Sequence, residues 1–115
     1  MHEGALAQAA LDLVLETARE HGAARVTSIT LSVGALAQAN ADSLAFWLGA
    51  LAEGSPAEGA TIDVVEVAAE GECRAGCGAR YPVEPPSWSL ECPKCGRGGD
   101  LAAGRELTVS SIEVE

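Results

Sequence analysis

The sequence has 115 residues, enough for one ordinary domain or for one domain with a small inserted lobe, and nearly half of them are apolar. The net charge of −10 argues against a nucleic-acid partner, because phosphate binding needs clustered lysine and arginine side chains. No apolar run approaches the length of a membrane span, and the acidic start lacks a signal-peptide layout. We therefore expect a cytoplasmic protein with no membrane role.

The first part of the chain predicts a helix followed by a strand. Residues 4–21 place apolar side chains at helical spacing, and Gly22 follows in the usual C-terminal position. The apolar face of this helix is expected to contain Leu6, Ala10, Leu13, Val14 and Ala18. Residues 25–33 then alternate between apolar and small polar side chains, which indicates a strand. Its apolar face is expected to contain Thr27, Ile29, Leu31 and Val33.

A second helix and two more strands follow. Residues 39–54 predict the helix, with Asn40 or Asp42 as its N-cap. Its apolar stripe is expected to contain Leu44, Trp47, Leu48 and Leu51. Residues 61–69 and 106–115 indicate strands, and a slip in apolar phase at Ser110 and Ser111 predicts a β-bulge in the last one. The pattern predicts an α+β fold in which two helices pack on a three-stranded mixed β-sheet.

Residues 70–104 differ from the rest of the chain. They hold all four cysteines and four of the five prolines. Their apolar residues show neither helical nor strand periodicity, so we do not expect them to form an independent hydrophobic core. Cys73-x3-Cys77 and Cys92-x2-Cys95, with 14 residues between the pairs, form the layout of a tetrahedral four-thiolate zinc site. Disulfides are the alternative, but a cytoplasmic location disfavours them. Four ligands leave no open position, so we expect a structural zinc in an inserted, zinc-ribbon-like domain with four cysteine ligands.

The chain begins Met-His-Glu-Gly, a sequence that offers the ligands of a second metal site. The amine of Met1 with the amide and ring nitrogens of His2 can close five- and six-membered chelate rings, and Glu3 can supply a fourth ligand. Planar nitrogen coordination suits Ni(II) or Cu(II) better than zinc. The alternative is that His2 is a solvated side chain on a loose terminus, because short terminal motifs also arise by chance.

Several stretches taken together resemble the HypA/HybF family of nickel-delivery accessory proteins in NiFe-hydrogenase maturation. They are the MHE start, the strand and turn AARVTSITLSVGAL, the CPKCG knuckle and the closing GRELTVSSIEVE. The resemblance implies a nickel-binding domain of residues 1–69 and 105–115 and a zinc domain of residues 70–104 inserted before the last strand. It implies His2 as a nickel ligand, with Glu3 as a further candidate. The zinc ligands that it implies are Cys73, Cys77, Cys92 and Cys95.

The resemblance also implies a metallochaperone and not an enzyme. Such a protein works with the GTPase HypB and passes Ni(II) to the hydrogenase large subunit, and in some organisms it also serves urease maturation. The alternative is a zinc-ribbon adaptor that binds a protein or RNA and has no nickel role.

Two features depart from the family pattern. The first knuckle has three residues between its cysteines where the family usually has two. The turn after the first strand lacks the family's usual acidic residue, so Asn40 and Asp42 stay unassigned. We expect His21, at the far end of the first helix, to stabilise that helix end through its dipole and not to bind nickel.

A retained N-terminal extension is expected to weaken nickel binding, because it converts the Met1 amine into an amide and removes one ligand of the chelate. The zinc content and the fold should not change. Calorimetric titration of the tagged and untagged protein measures this difference. Equal nickel affinities would contradict an N-terminal chelate.

Overall fold

The computed structural model describes residues 2–115, apart from the side chain of His2. Met1 and that side chain lie outside the described part. The helices and strands follow in chain order: α1 His2–Glu20, β1 Val26–Gly34, a short 3-10 helix Ala35–Ala37, α2 Ala41–Leu51, β2 Thr61–Val67, β3 Glu70–Cys73, β4 Arg80–Pro82, β5 Gly99–Ala103 and β6 Leu107–Val114. None of the described helices combines the length and the apolarity that crossing a membrane requires.

The chain divides into two compact units. The first unit comprises Met1–Val33, Ala39–Glu66 and Leu107–Glu115, and the second comprises Gly34–Gln38 and Val67–Glu106. Each unit has its own three-stranded sheet, in the orders β2–β1–β6 and β4–β3–β5. The short segment after β1 thus belongs with the cysteine-rich part of the chain, which the local sequence pattern does not indicate.

The first unit has the α+β architecture that the sequence predicts. Its mixed sheet pairs β1 antiparallel with β6, and α1 packs against α2 and β6. The buried side chains are mainly small on α1 and branched on the strands, which permits close packing with few aromatic residues. They include Ala7, Ala10, Leu11, Val14, Ala18, Val26, Ile29, Leu31, Val33, Leu44 and Leu48.

The face of α1 that is buried in the structure differs from the face that the sequence pattern predicts. Leu13 is 46% exposed, so its assignment to the core was wrong, and Ala7 and Leu11 are buried instead. The observed stripe, with its i, i+3, i+4 and i+7 spacing, faces the rest of the unit, and Leu13 lies beside it.

Two irregularities determine which strand residues face the core. The pairing of β1 with β6 shifts between Val26 and Ser28, so Val26 is buried and Thr27 is exposed, contrary to the simple alternation expected. The Thr27 hydroxyl instead donates to the carbonyl of Glu113 at 3.2 Å. A second shift leaves Ser110 as the extra residue of β6, which confirms the predicted bulge.

The second unit has a small apolar core of its own, which the sequence pattern did not suggest. Its buried residues are Ala69, Cys73, Tyr81, Val83 and Cys92. Partly buried side chains packed against them are Leu36, Ala79, Trp88, Leu90 and Leu101. Two of the five central residues are cysteines, so the candidate metal ligands are themselves part of the core.

Two glycines allow the segment after β1 to join the second unit. A Cβ atom on Gly34 would collide with the carbonyl group of Gly104, so only glycine fits there. The Leu36 N–H donates to the Gly104 carbonyl at 2.8 Å, which holds the 3-10 segment in place. Gly104 itself has a φ of +121°, and a Cβ on it would lie 2.7 Å from Ala69.

Replacing Asn40 by alanine is expected to lower the free energy of unfolding by about 1 kcal/mol. Asn40, and not Asp42, is the N-cap of α2, because its side chain accepts a hydrogen bond from the Ser43 N–H at 2.9 Å. Urea denaturation of the wild type, Asn40→Ala and Asn40→Asp measures the effect. Aspartate keeps the acceptor and should unfold near wild type; an alanine variant as stable as wild type would contradict the cap.

Candidate metal centre

The four cysteines of the chain meet at one point in the second unit. Their sulfur atoms all lie within 4.8 Å of one another. Sγ of Cys73 lies 3.6 Å from Sγ of Cys95, and Sγ of Cys77 lies 3.6 Å from Sγ of Cys92. All four are free cysteines in the structure. Cys73 and Cys92 are buried, whereas Cys77 and Cys95 are exposed.

The first knuckle is the turn between β3 and β4. Across it, the Cys73 N–H donates to the carbonyl of Ala79 at 3.0 Å. Gly76 and Gly78 have φ angles of +86° and +78°, a backbone region that glycine adopts readily. These turns accommodate the additional residue between Cys73 and Cys77. The CxxxC spacing therefore leaves all four sulfurs within reach of one ion.

The second knuckle is closed by backbone hydrogen bonds within CPKCG and to the residue after it. The Gly96 N–H donates to the carbonyl of Cys92 at 2.8 Å, and the Cys92 N–H donates to the carbonyl of Arg97 at 2.7 Å. Gly96 has a φ of +74°, as this tight turn requires. The chain then enters β5, whose first residue, Gly99, pairs with Cys73 at the end of β3. This antiparallel pairing brings the two knuckles together.

Backbone N–H groups directed at the sulfurs make two of the four thiols acidic. The N–H of Cys77, with help from the Cys77 thiol, lowers the pKa of Cys73 to about 6. Burial acts to raise the pKa of Cys92, but the N–H groups of Cys95 and Lys94 outweigh it and the pKa falls. Cys73 and Cys92 are therefore the first thiols to become metal-binding thiolates.

The other two thiols hold their protons more strongly. The N–H of Ala79 acts to lower the pKa of Cys77, but the neighbouring Cys73 sulfur and burial outweigh it and raise the pKa to about 12. Likewise, the Arg97 N–H favours the Cys95 thiolate, whereas the Cys73 sulfur and burial raise the Cys95 pKa. Like charges so close together cannot all persist at neutral pH, so a cation is needed to hold four thiolates.

Tyr81 forms one wall of this part of the second unit. Its ring packs across two glycines, because a Cβ atom on Gly71 would lie 2.5 Å from the ring and one on Gly99 would collide with the hydroxyl oxygen. The hydroxyl donates to the carbonyl of Leu90 at 2.6 Å. Burial raises the pKa of Tyr81, and the charge on nearby Cys92 raises it further. The sequence pattern does not identify Tyr81 as a residue of this site. The only feature of the sequence that could have drawn attention to it is that the chain has very few aromatic residues.

A charged pair connects the first knuckle to β5. The Arg74 guanidinium lies 3.0 Å from the Asp100 carboxylate and also donates to the carbonyl of Gly99 at 3.1 Å. Both side chains are largely exposed, so the pair contributes little to stability. Its main effect is to keep the arginine lying along β5.

The residues of the expected nickel site belong to the first unit. The side chain of His2 and all of Met1 lie outside the described residues. Glu3 lies in the first turn of α1, and its Oε2 accepts a 3.5 Å hydrogen bond from the Asn40 N–H. Asp42 lies in the first turn of α2 and is exposed.

His21 lies at the opposite end of α1 from His2. The 19-residue helix spans roughly 28 Å. Nδ1 of His21 lies 2.8 Å from the carbonyl oxygen of Thr17, so this nitrogen is the donor. The contact satisfies a carbonyl in the last turn of the helix, where a histidine stabilises the helix end.

A comparison with known protein families identifies the chain. A family model described as "Hydrogenase/urease nickel incorporation, metallochaperone, hypA" matches residues 1–114. The chain belongs to the HypA family. Among curated HypA relatives, the hydrogenase maturation factor HypA of Chlorobaculum tepidum is 40% identical over 116 residues, with 100% of each chain covered.

More distant relatives also match over their full length. The hydrogenase maturation factor HypA of Rhizobium leguminosarum bv. viciae is 39% identical, with 99% of each chain covered. The HypA of Methanosarcina acetivorans is 37% identical over 130 residues, covering 100% of this HypA-family chain and 96% of the relative. The whole chain, and not only the cysteine motif, therefore carries the family likeness.

The fold agrees with that of a solved HypA structure. The solution structure of the Ni metallochaperone HypA from Helicobacter pylori is similar with a TM-score of 0.74. The match covers 99% of this chain and 97% of that chain at 21% sequence identity. At this identity the likeness supports the fold alone, and it confirms the α+β class expected from the sequence.

Replacing Cys92 by alanine is expected to abolish zinc binding by the cysteines and to disorder residues 70–104, while the β2–β1–β6 sheet stays folded. Cys92 is fully buried and supplies one of four sulfurs, so its loss removes both a ligand and part of the small core. Metal analysis combined with amide hydrogen exchange measures both effects. Ser87→Ala, in the same segment, serves as control. Retention of one zinc ion per chain by Cys92→Ala would refute the assignment.

Proposed function

We propose that this chain is a nickel metallochaperone that binds Ni(II) through its first residues and delivers it to the hydrogenase large subunit during maturation. The match of residues 1–114 to the HypA family carries this proposal, because the family description names nickel incorporation into hydrogenase and urease. We assign residues 1–69 and 105–115 to a nickel domain and residues 70–104 to a zinc domain. The chain has no catalytic role in this proposal.

We propose zinc as the ion held by Cys73, Cys77, Cys92 and Cys95. Four sulfurs at the usual zinc–sulfur distance in a tetrahedron lie about 3.8 Å apart. Two of the observed separations are 3.6 Å and all are within 4.8 Å, so the sulfurs fit such an ion with small adjustments. When bound, zinc supplies bonds that hold the two knuckles together. With four protein ligands it has no open position, which supports a structural role.

For nickel, we propose His2 as a ligand, with Glu3 as the lesser candidate. An imidazole combined with amine and amide nitrogens offers the planar donor set that Ni(II) favours. Glu3 lies in the first turn of α1, next to His2 in the sequence, and its carboxylate contacts the Asn40 N–H at the start of α2. Residues 1–69 carry nine acidic side chains against two basic ones, which favours the approach of a cation.

We propose that the partners are the GTPase HypB and the hydrogenase large subunit, with urease maturation proteins as further recipients, and that the exchange takes place in the cytoplasm. The family description supports hydrogenase and urease as destinations. The four free cysteines arranged for metal binding are compatible with a reducing compartment.

Replacing His2 by alanine is expected to weaken Ni(II) binding strongly, because the imidazole and the geometry of its chelate ring are lost. The zinc content should stay at one ion per chain, since the cysteines are unchanged. Calorimetric titration with Ni(II), with zinc quantified in each sample, measures both quantities. His21→Ala is the matched control, because it removes the only other histidine. Equal nickel affinity in the wild type and His2→Ala would contradict the proposal and favour a zinc-ribbon adaptor.

A further inference from the structure

Trp47 packs over the backbone at the start of α1. A Cβ atom placed on Gly4 would lie 3.8–3.9 Å from three carbons of the Trp47 indole, which is ordinary van der Waals contact. The indole therefore covers the first turn of α1 two residues after His2. A Cβ atom fits at this position, but the additional methyl groups of a branched side chain would push the ring away.

Trp47 is not an ordinary core residue. It is 37% exposed, whereas Leu44 and Leu48 on the same helix are fully buried. Its ring also meets the ring of Phe46 edge-on, at a distance of 6.4 Å between the ring centroids. Phe46 is 71% exposed. Trp47 is therefore partly exposed and lies against the backbone of the first turn of α1.

A second contact joins the same two helices close by. Oε2 of Glu3 accepts from the Asn40 N–H at 3.5 Å, and Asn40 in turn caps α2. The first turn of α1 is thus held at two consecutive residues, Glu3 and Gly4, by α2 and its N-cap. Helix ends fray unless such contacts hold them.

We propose that Trp47 is a positioning residue for the N-terminal nickel site, acting through Gly4. The inference rests on the proposed nickel role of His2. The chelate proposed there uses the backbone as well as the imidazole. Because α1 starts at His2, the conformation of its first turn sets the position of the His2 backbone nitrogen. By holding that turn in one conformation, the indole lowers the ordering cost of nickel binding.

The experiment uses the full zinc-loaded chain with Trp88→Phe as the parent, so that Trp47 is the only tryptophan. Ni(II) is titrated by calorimetry and by indole emission. Trp47→Ala is expected to weaken nickel binding by on the order of tenfold, the usual effect of removing a group that orients a ligand. Trp47→Phe should recover most of the affinity. Emission from Trp47 in the parent should be quenched, with saturation at one equivalent of nickel.

Two substitutions at Gly4 test the contact without removing the indole. Gly4→Ala should bind nickel like the parent, because its Cβ would meet the ring at normal contact distance. Gly4→Val should weaken binding as Trp47→Ala does, because its methyl groups displace the ring. Zinc content and far-ultraviolet circular dichroism establish that each variant is folded.

The outcomes separate this inference from the proposed function. Nickel affinity in Trp47→Ala and Gly4→Val equal to that of the parent, with His2→Ala impaired, would overturn the role of Trp47 alone. An absence of quenching at one equivalent of nickel would overturn it as well. Parent-like affinity in His2→Ala would overturn the nickel site itself, and this inference with it.

Discussion

The second unit depends on one constraint: four cysteine sulfurs lie within 4.8 Å of one another, and four thiolates this close would repel one another. Backbone N–H groups favour the thiolates of Cys73 and Cys92. The negative charge of these thiolates in turn keeps the protons on Cys77 and Cys95. A bound cation removes this conflict, so the free energy of metal binding becomes free energy of folding. The knuckles, the glycines with positive φ and the β3–β5 pairing all act to create this arrangement.

The small core of the second unit explains why the metal matters so much there. Cys73 and Cys92 are both sulfur ligands and buried core residues, so the metal centre and the hydrophobic core cannot be separated. Tyr81 adds most of the remaining bulk, and it fits because Gly71 and Gly99 present no side chains to its ring. A lobe of this size has few other ways to offset the entropy of ordering its loops.

The sequence predicts the features that depend on local patterns. Helical spacing, strand alternation and cysteine spacing suffice for the two helices, the sheet of the first unit, the Ser110 bulge and the set of four cysteines. Features that depend on distant contacts were missed or wrong. Thr27 is exposed because of a register shift in the pairing of β1 with β6. Tyr81 can be identified as a core residue only from the folded structure, in which its ring packs on Gly71 and Gly99. The close approach of Gly34 to Gly104 likewise has no local signal.

The two candidate metal sites differ in how firmly the chain holds their ligands. The cysteines come from two hydrogen-bonded knuckles attached to one sheet, so releasing an ion there means breaking the core of the unit. The contacts that hold the first turn of α1 include an indole contact and a long hydrogen bond, each of which can be broken singly. A site that must give up its ion benefits from the second arrangement, because each ligand can leave without unfolding anything else. The proposed zinc, which is to be retained, is therefore held by a closed cluster of sulfurs within a folded core. The proposed nickel, which is to be released, is held at the start of a helix.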